Sequence, residues 1–355
     1  MRPGEQEKGF DGMRILLLGA GAMGTIIGAY LTEKGYDVEL ADSYQAHVDA
    51  LNANGAHIVG CVDKVVPVRA VALDGLTGRY DLVLSLTKQT TMRQALQTAL
   101  PFTHGKTIVM TLQNGIPEDI AAEYVGMDRV MGGGMEFSGT FVSPGVSKLA
   151  SGEDTLGISF GRPDGQITPE ALEVQAMFKD ALGHCELTTN LRGVRYTKLT
   201  DNSCFSGLAT ALGCLVGDIL DDHRAMECIA CTGREAAHII RALGIQPVEL
   251  FGLCPTVENV GFQTREELER VIGYWRKIYA PYRGQKASML QDLEKGRVCE
   301  IGQINGKFVA EGAKAGIATP FNSKIVALVT QIQNGERKLE TAWENLKEFP
   351  LPELT

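Results

Sequence analysis

A strand, a glycine-rich turn and a helix follow one another near the start of the chain, and this stretch constrains the fold most. Arg14–Leu18 is an almost continuous apolar run, and Gly19, Gly21 and Gly24 follow it at G-x-G-x-x-G spacing. The next ten residues have the pattern of a helix. In this context the first glycine permits a tight turn, the second admits a pyrophosphate to the backbone, and the third lets the helix pack closely.

This stretch predicts a dinucleotide site with the pyrophosphate at the N-terminus of the helix. The candidate cofactor-binding residues of the turn are Gly19, Ala20, Gly21, Ala22, Met23 and Gly24. The alternative is a tight strand-to-helix turn that binds nothing.

Asp42 is the candidate ribose contact. The segment Asp37–Asp42 alternates like a strand, and its last carboxylate lies about 20 residues beyond the glycines, where an acid binds the ribose hydroxyls. A carboxylate there repels a 2′-phosphate, and no Lys or Arg follows until Lys64. The sequence therefore favours NAD over NADP. The alternative is that Asp42 caps the next helix.

The bulk composition is that of an ordinary globular protein, with 355 residues, 44% hydrophobic and 22% charged, a length that predicts two domains. A net charge of −9 disfavours nucleic acid or an anionic membrane as partner. No apolar run is long enough to span a bilayer. Residues 1–12 are polar and glycine-rich, which predicts a disordered leader without a signal-peptide core. Eight cysteines without a framework pattern indicate reduced thiols and a cytoplasmic location.

Strand-like and helix-like segments alternate up to about residue 190 and only helical patterns follow. The predicted fold is an α/β N-terminal domain with a Rossmann-like, doubly wound sheet over residues 13–190, followed by an all-α C-terminal domain over 191–355. Residues 129–161 are expected to add antiparallel strands that finish the sheet. The helices predicted after the linker at 189–192 cover residues 194–220, 222–243, 265–278, 288–295, 300–315 and 320–333.

Two groups of metal-ligating residue types have simpler explanations. Cys228 and Cys231 lie three apart in a helical stretch without a second pair, which favours small core residues over zinc or redox chemistry. The acids Asp218, Asp221 and Asp222 before a histidine fit a helix end followed by a new N-cap. No metal is predicted.

The first helix of the second domain carries a candidate general acid. Lys198 and Asn202 are spaced i and i+4, so they share one face, and Ser206 continues it. The rest of this helix is small and apolar, and a lysine on a largely buried helix is unusual. The functional hypothesis is an amine that protonates a carbonyl oxygen. The alternative is a lysine that extends from a helix edge to solvent.

Glu300 precedes a run of small and apolar residues in the last third of the chain. By itself it is typical of an acid in the first turn of a helix. Together with Lys198 it is a candidate for the carboxylate that orients the lysine or contacts a substrate hydroxyl.

From Met13 to about Val329 the chain resembles ketopantoate reductases. The shared motifs are Gly-Ala-Gly-Ala-Met-Gly at 19–24, Lys88 after a strand, Gln113-Asn114-Gly115, Lys198-Leu199-x-x-Asn202, Ser288-Met289-Leu290-Gln291-Asp292 and Glu300-Ile301-x-x-Ile304-Asn305-Gly306. The resemblance implies that Lys198 is the general acid and Glu300 a substrate-contacting carboxylate. It implies that Asn202 and Ser288 bind substrate, that Asn114 lies where cofactor and substrate meet, and that Lys88 lies near the cofactor.

The implied reaction is reduction of a 2-oxo acid by NADH or NADPH to an (R)-2-hydroxy acid, first of all 2-dehydropantoate to (R)-pantoate in pantothenate biosynthesis. Three departures keep a second hypothesis open, an NAD-dependent dehydrogenase of a bulkier 2-oxo acid. Ser206 stands where the family has an asparagine. Asp42 stands where an NADP-using reductase usually carries a basic residue nearby. Residues 246–285 form a stretch that is longer than usual for the family and contains Trp275, Tyr279 and Tyr282. A third hypothesis is a nucleotide sensor without catalysis. The expected partner is a small molecule, and a homodimer is possible.

Overall fold

The computed structural model describes residues 12–150 and 152–355. The predicted disordered leader lies outside this part of the chain except for Gly12. The chain forms two compact units, of which the first ends at Leu191. Asn114–Ile116 belong to the second unit, which otherwise comprises Arg192–Thr355. Among the described residues, no helix combines the length and hydropathy that crossing a bilayer requires.

The first unit alternates strands with helices. Its strands are β1 (Arg14–Leu18), β2 (Asp37–Asp42), β3 (Ala56–Gly60), β4 (Lys64–Val66), β5 (Arg69–Ala72), β6 (Leu82–Ser85), β7 (Ile108–Thr111), β8 (Val130–Met135), β9 (Gly139–Ser143), β10 (Val146–Leu149), β11 (Gly157–Gly161) and β12 (His184–Thr188). Its helices are α1 (Ala22–Glu33), α2 (Gln45–Asn54), α3 (Gln89–Ala99), α4 (Glu118–Val125) and α5 (Pro169–Leu182).

Eight strands form the main sheet in the order β12-β11-β8-β7-β6-β1-β2-β5. All neighbours in it are parallel except β8 and β11. Strand β1 lies between β2 and β6, so the chain order reverses there, and in such sheets ligands bind beyond the carboxyl ends of the strands at this reversal. The α/β prediction is confirmed. The loops after β1, β2 and β6 all begin at the edge of the main sheet where the carboxyl ends of these strands lie.

A second sheet, in the order β4-β3-β10-β9, was not expected from the sequence. The prediction that all strand-like pieces between residues 129 and 161 finish the main sheet is therefore wrong for β9 and β10. Strands β9 and β10 instead pack on helix α1, whose residues Gly24 to Leu31 are all buried. Ile26 of α1 shares a core with Ile58 and Leu149 of the small sheet, which covers the side of α1 that the main sheet leaves open.

The second unit contains only helices and connecting segments. They are α6 (Leu191–Asp201), which begins at the last residue of the first unit, α7 (Gly207–Leu212), α8 (Val216–Asp221), α9 (His223–Ala242), α10 (Val257–Val260), α11 (Arg265–Tyr279), α12 (Ser288–Glu294), α13 (Asn305–Ala315) and α14 (Pro320–Gln333). A π-helical turn, Asn202–Ser206, joins α6 to α7, and a 3₁₀ segment, Leu339–Glu348, follows α14.

Two predicted helices differ from the structure. The single helix expected over 194–220 widens at the π turn and ends at Gly213, whose φ of 64° stops it before α8 begins. The helix expected from Glu300 begins only at Asn305. The amides of Gln303 and Ile304 both donate to the Glu300 carbonyl, each at 3.0 Å, so the chain first makes a turn.

A buried carboxylate of α9 caps the N-terminus of α14. Glu235 accepts hydrogen bonds from the amides of Phe321 and Asn322, at 2.8 and 3.0 Å, and from the Asn322 side chain at 2.8 Å. The residue before α14, Thr319, does not cap the helix with its side chain. Burial raises the pKa of Glu235 to about 7. The acid thus satisfies helix-terminal donors that have no local acceptor.

We expect Glu235→Ala to lower the free energy of unfolding by about 2 kcal/mol or more, because it leaves several buried donors without an acceptor. The measurement is denaturant unfolding of both proteins. Glu344→Ala is the matched control, since Glu344 is exposed and pairs with the neighbouring Lys347. Equal midpoints for the two variants would show that Glu235 does not hold α14.

Candidate functional site

The three glycines of the turn after β1 are required for different reasons. Gly19 has a φ of 101°, and a Cβ there would come within 2.6 Å of the backbone nitrogen of Thr87. A Cβ at Gly24 would lie 2.2 Å from the Gly19 carbonyl oxygen. At Gly21, by contrast, a Cβ would meet no atom of the described residues within 4 Å. Protein packing explains the first and third glycines, whereas the second opens onto space where a ligand can approach the backbone.

The N-terminus of α1 begins in this space. Its N-cap residue is Gly21, no side chain caps it, and its first turn contains no acid. Uncapped amides at the positive end of a helix dipole form an anion site. The donor set therefore fits the pyrophosphate of a dinucleotide. Residues Ala20, Ala22 and Met23, which the sequence analysis includes, lie in this turn and the start of α1.

A buried histidine, which the sequence analysis missed, holds the middle of the turn. The His47 Nδ1 accepts from the Gly145 amide at 2.9 Å, so the ring proton lies on Nε2, which donates to the Ala20 carbonyl at 2.7 Å. The Thr25 hydroxyl donates to the same carbonyl at 2.6 Å. His47 is 1% exposed. No sequence pattern marks this contact, because it joins α2 to a loop almost one hundred residues away.

Asp42 ends β2, the strand next to β1, and is half-buried. Its Oδ1 accepts from the Tyr44 amide at 2.9 Å. The next helix begins at Gln45 with Tyr44 as its N-cap residue, so Asp42 stabilises the turn but is not the helix cap. The basic residues that follow are paired elsewhere: Lys64 with Glu33 and Glu153, and Arg69 with Asp37 and Glu39.

Two further candidates follow other strands of the main sheet. Lys88 is exposed and is the N-cap residue of α3, immediately after the Thr87 backbone that packs on Gly19. Asn114 is exposed after β7, in the short segment that belongs to the second unit. Preceding it, Gln113 donates to the Ser85 hydroxyl at 2.7 Å, which ties the ends of β6 and β7 together.

In the second unit, the Lys198 amine is held by a carboxylate of its own helix. Its Nζ lies 2.5 Å from Oδ2 of Asp201, three residues along α6, and the lysine side chain is 42% exposed. The other carboxylate oxygen of Asp201 accepts from the Tyr279 hydroxyl. The Tyr279 ring stacks on Phe205, with centroids 3.6 Å apart. Asp201 therefore orients the lysine, a function that the sequence analysis had considered for Glu300.

The sequence offered a signal for Asp201, since a lysine and an acid three apart on a helix are neighbours. The spacing alone does not mark a functional pair, because such pairs are common on helix surfaces. Tyr279 was named only as part of the long stretch 246–285. Its contact with Asp201 joins α11 to α6 and depends on the tertiary structure.

Asn202 begins the π turn, and its side-chain nitrogen is buried without a hydrogen-bond partner in the described structure. Ser206 ends the turn and is half-buried. The turn is held open by Asn305, whose Nδ2 donates to the Ser203 carbonyl at 2.9 Å and to Asn322 Oδ1 at 2.9 Å. Single π turns are frequent at functional sites. Here the turn presents a buried donor one helical turn beyond Lys198.

Glu300 and Ser288 differ in burial. Glu300 is 5% exposed, in the turn that precedes α13, and is therefore not a first-turn helix acid. Ser288 is exposed at the first position of α12. In the same part of the chain Trp275 is fully buried against Gly233 and Phe205, so it is a core residue.

The metal-ligating residue types named from the sequence have structural roles. Burial raises the pKa of the Cys228 thiol to about 12 and that of Cys231 further, so both are inert core residues. Asp222 caps α9 by accepting from the Ala225 amide at 2.8 Å. Glu136, His184 and Glu186 offer three ligand atoms within 4.8 Å of one another, but all are exposed and we assign them no function.

Two family models match this chain. The model described as "Ketopantoate reductase PanE/ApbA" matches residues 15–162, and that described as "Ketopantoate reductase PanE/ApbA C terminal" matches residues 190–333. Together they cover most of the chain and both of its units.

Similar proteins carry related names. A 2-dehydropantoate 2-reductase of Pyrococcus horikoshii is 28% identical over 322 residues, which cover 89% of this chain and 96% of the relative. Among solved structures, a 2-dehydropantoate 2-reductase of Geobacter metallireducens is 27% identical with a TM-score of 0.74, covering 90% of this chain and 99% of that chain. A D-mandelate dehydrogenase solved with NADH and anilino(oxo)acetate shares the fold at 23% identity and a TM-score of 0.78, covering 91% and 99%.

We expect Gly21→Ala to leave the fold intact and to weaken dinucleotide binding at least about tenfold, because the new methyl group occupies only the space that a pyrophosphate needs. The measurements are a thermal melt and a fluorescence titration with NADH. Gly24→Ala is the contrasting variant, since its Cβ meets the Gly19 carbonyl and should lower the melting temperature itself. Unchanged NADH affinity in Gly21→Ala would contradict the assignment of the turn.

Proposed function

This chain belongs to the ketopantoate reductase family, and on that premise we propose that it reduces a 2-oxo acid to an (R)-2-hydroxy acid, with 2-dehydropantoate as the first candidate. Members of the family are NAD(P)-dependent oxidoreductases that act on CH–OH groups. The observation that carries the proposal is the Lys198 amine, which Asp201 orients. It lies one helical turn from the buried Nδ2 of Asn202, which has no hydrogen-bond partner among the described residues.

The proposed work of the first unit is to bind the dinucleotide. The backbone at Gly21 and the uncapped start of α1 would hold the pyrophosphate, and Asp42 would accept from the ribose hydroxyls. His47 and Thr25 both donate to the Ala20 carbonyl and so hold the backbone of the turn in place. Lys88 adds a positive charge beside the turn. When bound, the nicotinamide supplies a hydride for the substrate carbonyl carbon.

The proposed general acid is Lys198. As the carbonyl oxygen gains negative charge, the ammonium donates a hydrogen bond and then a proton to it. Asp201 holds the amine in position by a charge-assisted contact, and the Tyr279 hydroxyl holds Asp201. Reduction thus adds a hydride to the carbon and a proton to the oxygen, and the proton comes from this chain.

The remaining candidates are proposed to bind the substrate. The buried Asn202 amide is suited to donate to a carboxylate or hydroxyl oxygen, because a buried donor without an acceptor is unfavourable until a ligand supplies one. Ser206 offers a hydroxyl at the end of the π turn that Asn202 begins, and Ser288 offers one at the start of α12. Glu300 is proposed to contact a substrate hydroxyl, and Asn114 to lie where cofactor and substrate meet.

NAD is the proposed cofactor, on the evidence of charge. The Asp42 carboxylate repels a 2′-phosphate. The basic residues that follow it in the sequence, Lys64 and Arg69, each form ion pairs with two other acids. A 2′-phosphate would therefore meet an uncompensated negative charge at the end of β2.

A second candidate function is the NAD-dependent reduction of a bulkier 2-oxo acid. It is supported by Asp42 and by the similar structure of a D-mandelate dehydrogenase that binds NADH and an anilino-substituted oxo acid. A nucleotide sensor without catalysis is disfavoured, because such a protein has no need of an oriented lysine beside an unpartnered buried amide.

We expect Lys198→Ala to lower kcat for reduction of the best 2-oxo acid at least about 10²-fold, since the alkoxide then lacks its proton donor. The assay follows NADH or NADPH oxidation with 2-dehydropantoate and with bulkier 2-oxo acids. Lys347→Ala is the matched control, because Lys347 is an exposed lysine paired with a neighbouring acid. An unaltered kcat in Lys198→Ala would show that the acid is another group.

We expect Asp42→Ala to lower the ratio of kcat/KM with NADH to that with NADPH at least about tenfold, because the variant loses a ribose acceptor and a charge that repels the 2′-phosphate. Asp37→Ala is the control, since Asp37 lies at the opposite end of the same strand and pairs with Arg69. A wild-type enzyme that prefers NADPH would contradict the proposed cofactor.

A further inference from the structure

A two-residue hairpin in the second unit carries a strained aromatic residue. Leu250 and Leu253 exchange backbone hydrogen bonds of 2.9 and 2.8 Å, which leaves Phe251 and Gly252 as the two turn residues. Both have positive φ, 54° for Phe251 and 84° for Gly252. Positive φ at both central positions defines a type I′ turn, whose first position favours Asn, Asp or Gly.

A phenylalanine is unfavourable at this position. Phe251 is the one non-glycine residue with positive φ in the described part of the chain, and bulky side chains adopt this conformation only under strain. Burial does not explain its presence, because the side chain is 63% exposed. Strained backbone that is kept without a packing reason points to a function of the side chain.

The hairpin holds the Phe251 ring beside the candidate acid. The Lys198 Nζ lies 5.2 Å from the ring centroid. The Tyr274 hydroxyl fixes the loop, because it accepts from the Cys254 amide at 2.9 Å and donates to the Gly252 carbonyl at 3.2 Å. The Thr197 hydroxyl, on α6 next to the lysine, donates to the Val248 carbonyl at 2.8 Å.

We propose that Phe251 is a specificity-determining residue, whose ring contacts the substituent on the carbonyl carbon of the 2-oxo acid. The proposal rests on the function proposed for Lys198. A carbonyl oxygen that binds Nζ at about 2.9 Å from the side facing the ring places the substituent of the carbonyl carbon against the ring. The ring favours branched or aromatic apolar substituents over a hydrogen or a methyl group.

The turn chemistry supplies a matched set of variants. Phe251→Asn removes the ring but suits the type I′ turn, so the hairpin and the melting temperature are preserved or improved. Phe251→Tyr keeps the ring. The ratio of kcat/KM for phenylglyoxylate to kcat/KM for glyoxylate is measured with NADH for each protein, and 3-methyl-2-oxobutanoate provides an intermediate substituent.

We expect Phe251→Asn to lower this ratio at least about tenfold, the size of effect that loss of an apolar contact has on discrimination, and Phe251→Tyr to retain it. Binding of phenylglyoxylate is measured as protection of the protein against thermal unfolding in the presence of NAD⁺. This binding should weaken in Phe251→Asn and not in Phe251→Tyr. An unchanged ratio overturns the inference. An equal loss for every acid also overturns it, because the ring would then act on Lys198 alone. If the wild-type protein turns over none of these acids, nor 2-dehydropantoate, with either cofactor, the proposed function itself fails.

Discussion

The ion pair between Lys198 and Asp201 is the interaction on which the candidate chemistry of the second unit depends. A lysine has a long, flexible side chain, and an amine that must donate a proton at one point in space needs a fixed partner. Asp201 supplies it from the same helix, while Tyr279 fixes the acid from α11. The stacking of Tyr279 on Phe205 connects this arrangement to the hydrophobic core.

The helix that carries the lysine is shaped by polar groups behind it. The side-chain amide of Asn305 interrupts the regular α-helical pattern, since its Nδ2 donates to the Ser203 carbonyl within the π turn. The same amide reaches Asn322, which Glu235 binds in turn. A buried network of this kind specifies one arrangement of helices, because each alternative leaves polar groups unpaired. The position of Asn202 is thus set by contacts with α9, α13 and α14.

In the first unit, close packing and an open space alternate along the turn after β1. Gly19 and Gly24 allow backbone segments to touch, whereas a Cβ at Gly21 would have no atom of residues 12–150 or 152–355 within 4 Å. His47 binds the Ala20 carbonyl, which lies between Gly19 and Gly21. The small second sheet contributes to this indirectly, because the Gly145 amide that orients His47 lies in the turn between β9 and β10. A feature absent from the sequence-based prediction therefore supports the turn that the prediction began from.

By itself, the sequence determined the alternation of strands and helices in the first unit, the glycine turn and the all-helical second half. It also determined helices such as Pro320–Gln333, whose predicted bounds agree with the structure. Those features follow from local periodicity and from glycine and proline chemistry, which act over a few residues. Only the tertiary structure decided that β9 and β10 leave the main sheet, that Glu300 precedes its helix and that Trp275 is core. It also decided that His47 binds the glycine turn of the first unit, and that Asp201 and Phe251 lie beside Lys198 in the second. Some of these features depend on contacts between segments that are distant along the chain. The others depend on which of several local contacts the packing of the helices allows. Residue spacing specifies neither the long-range contacts nor this choice.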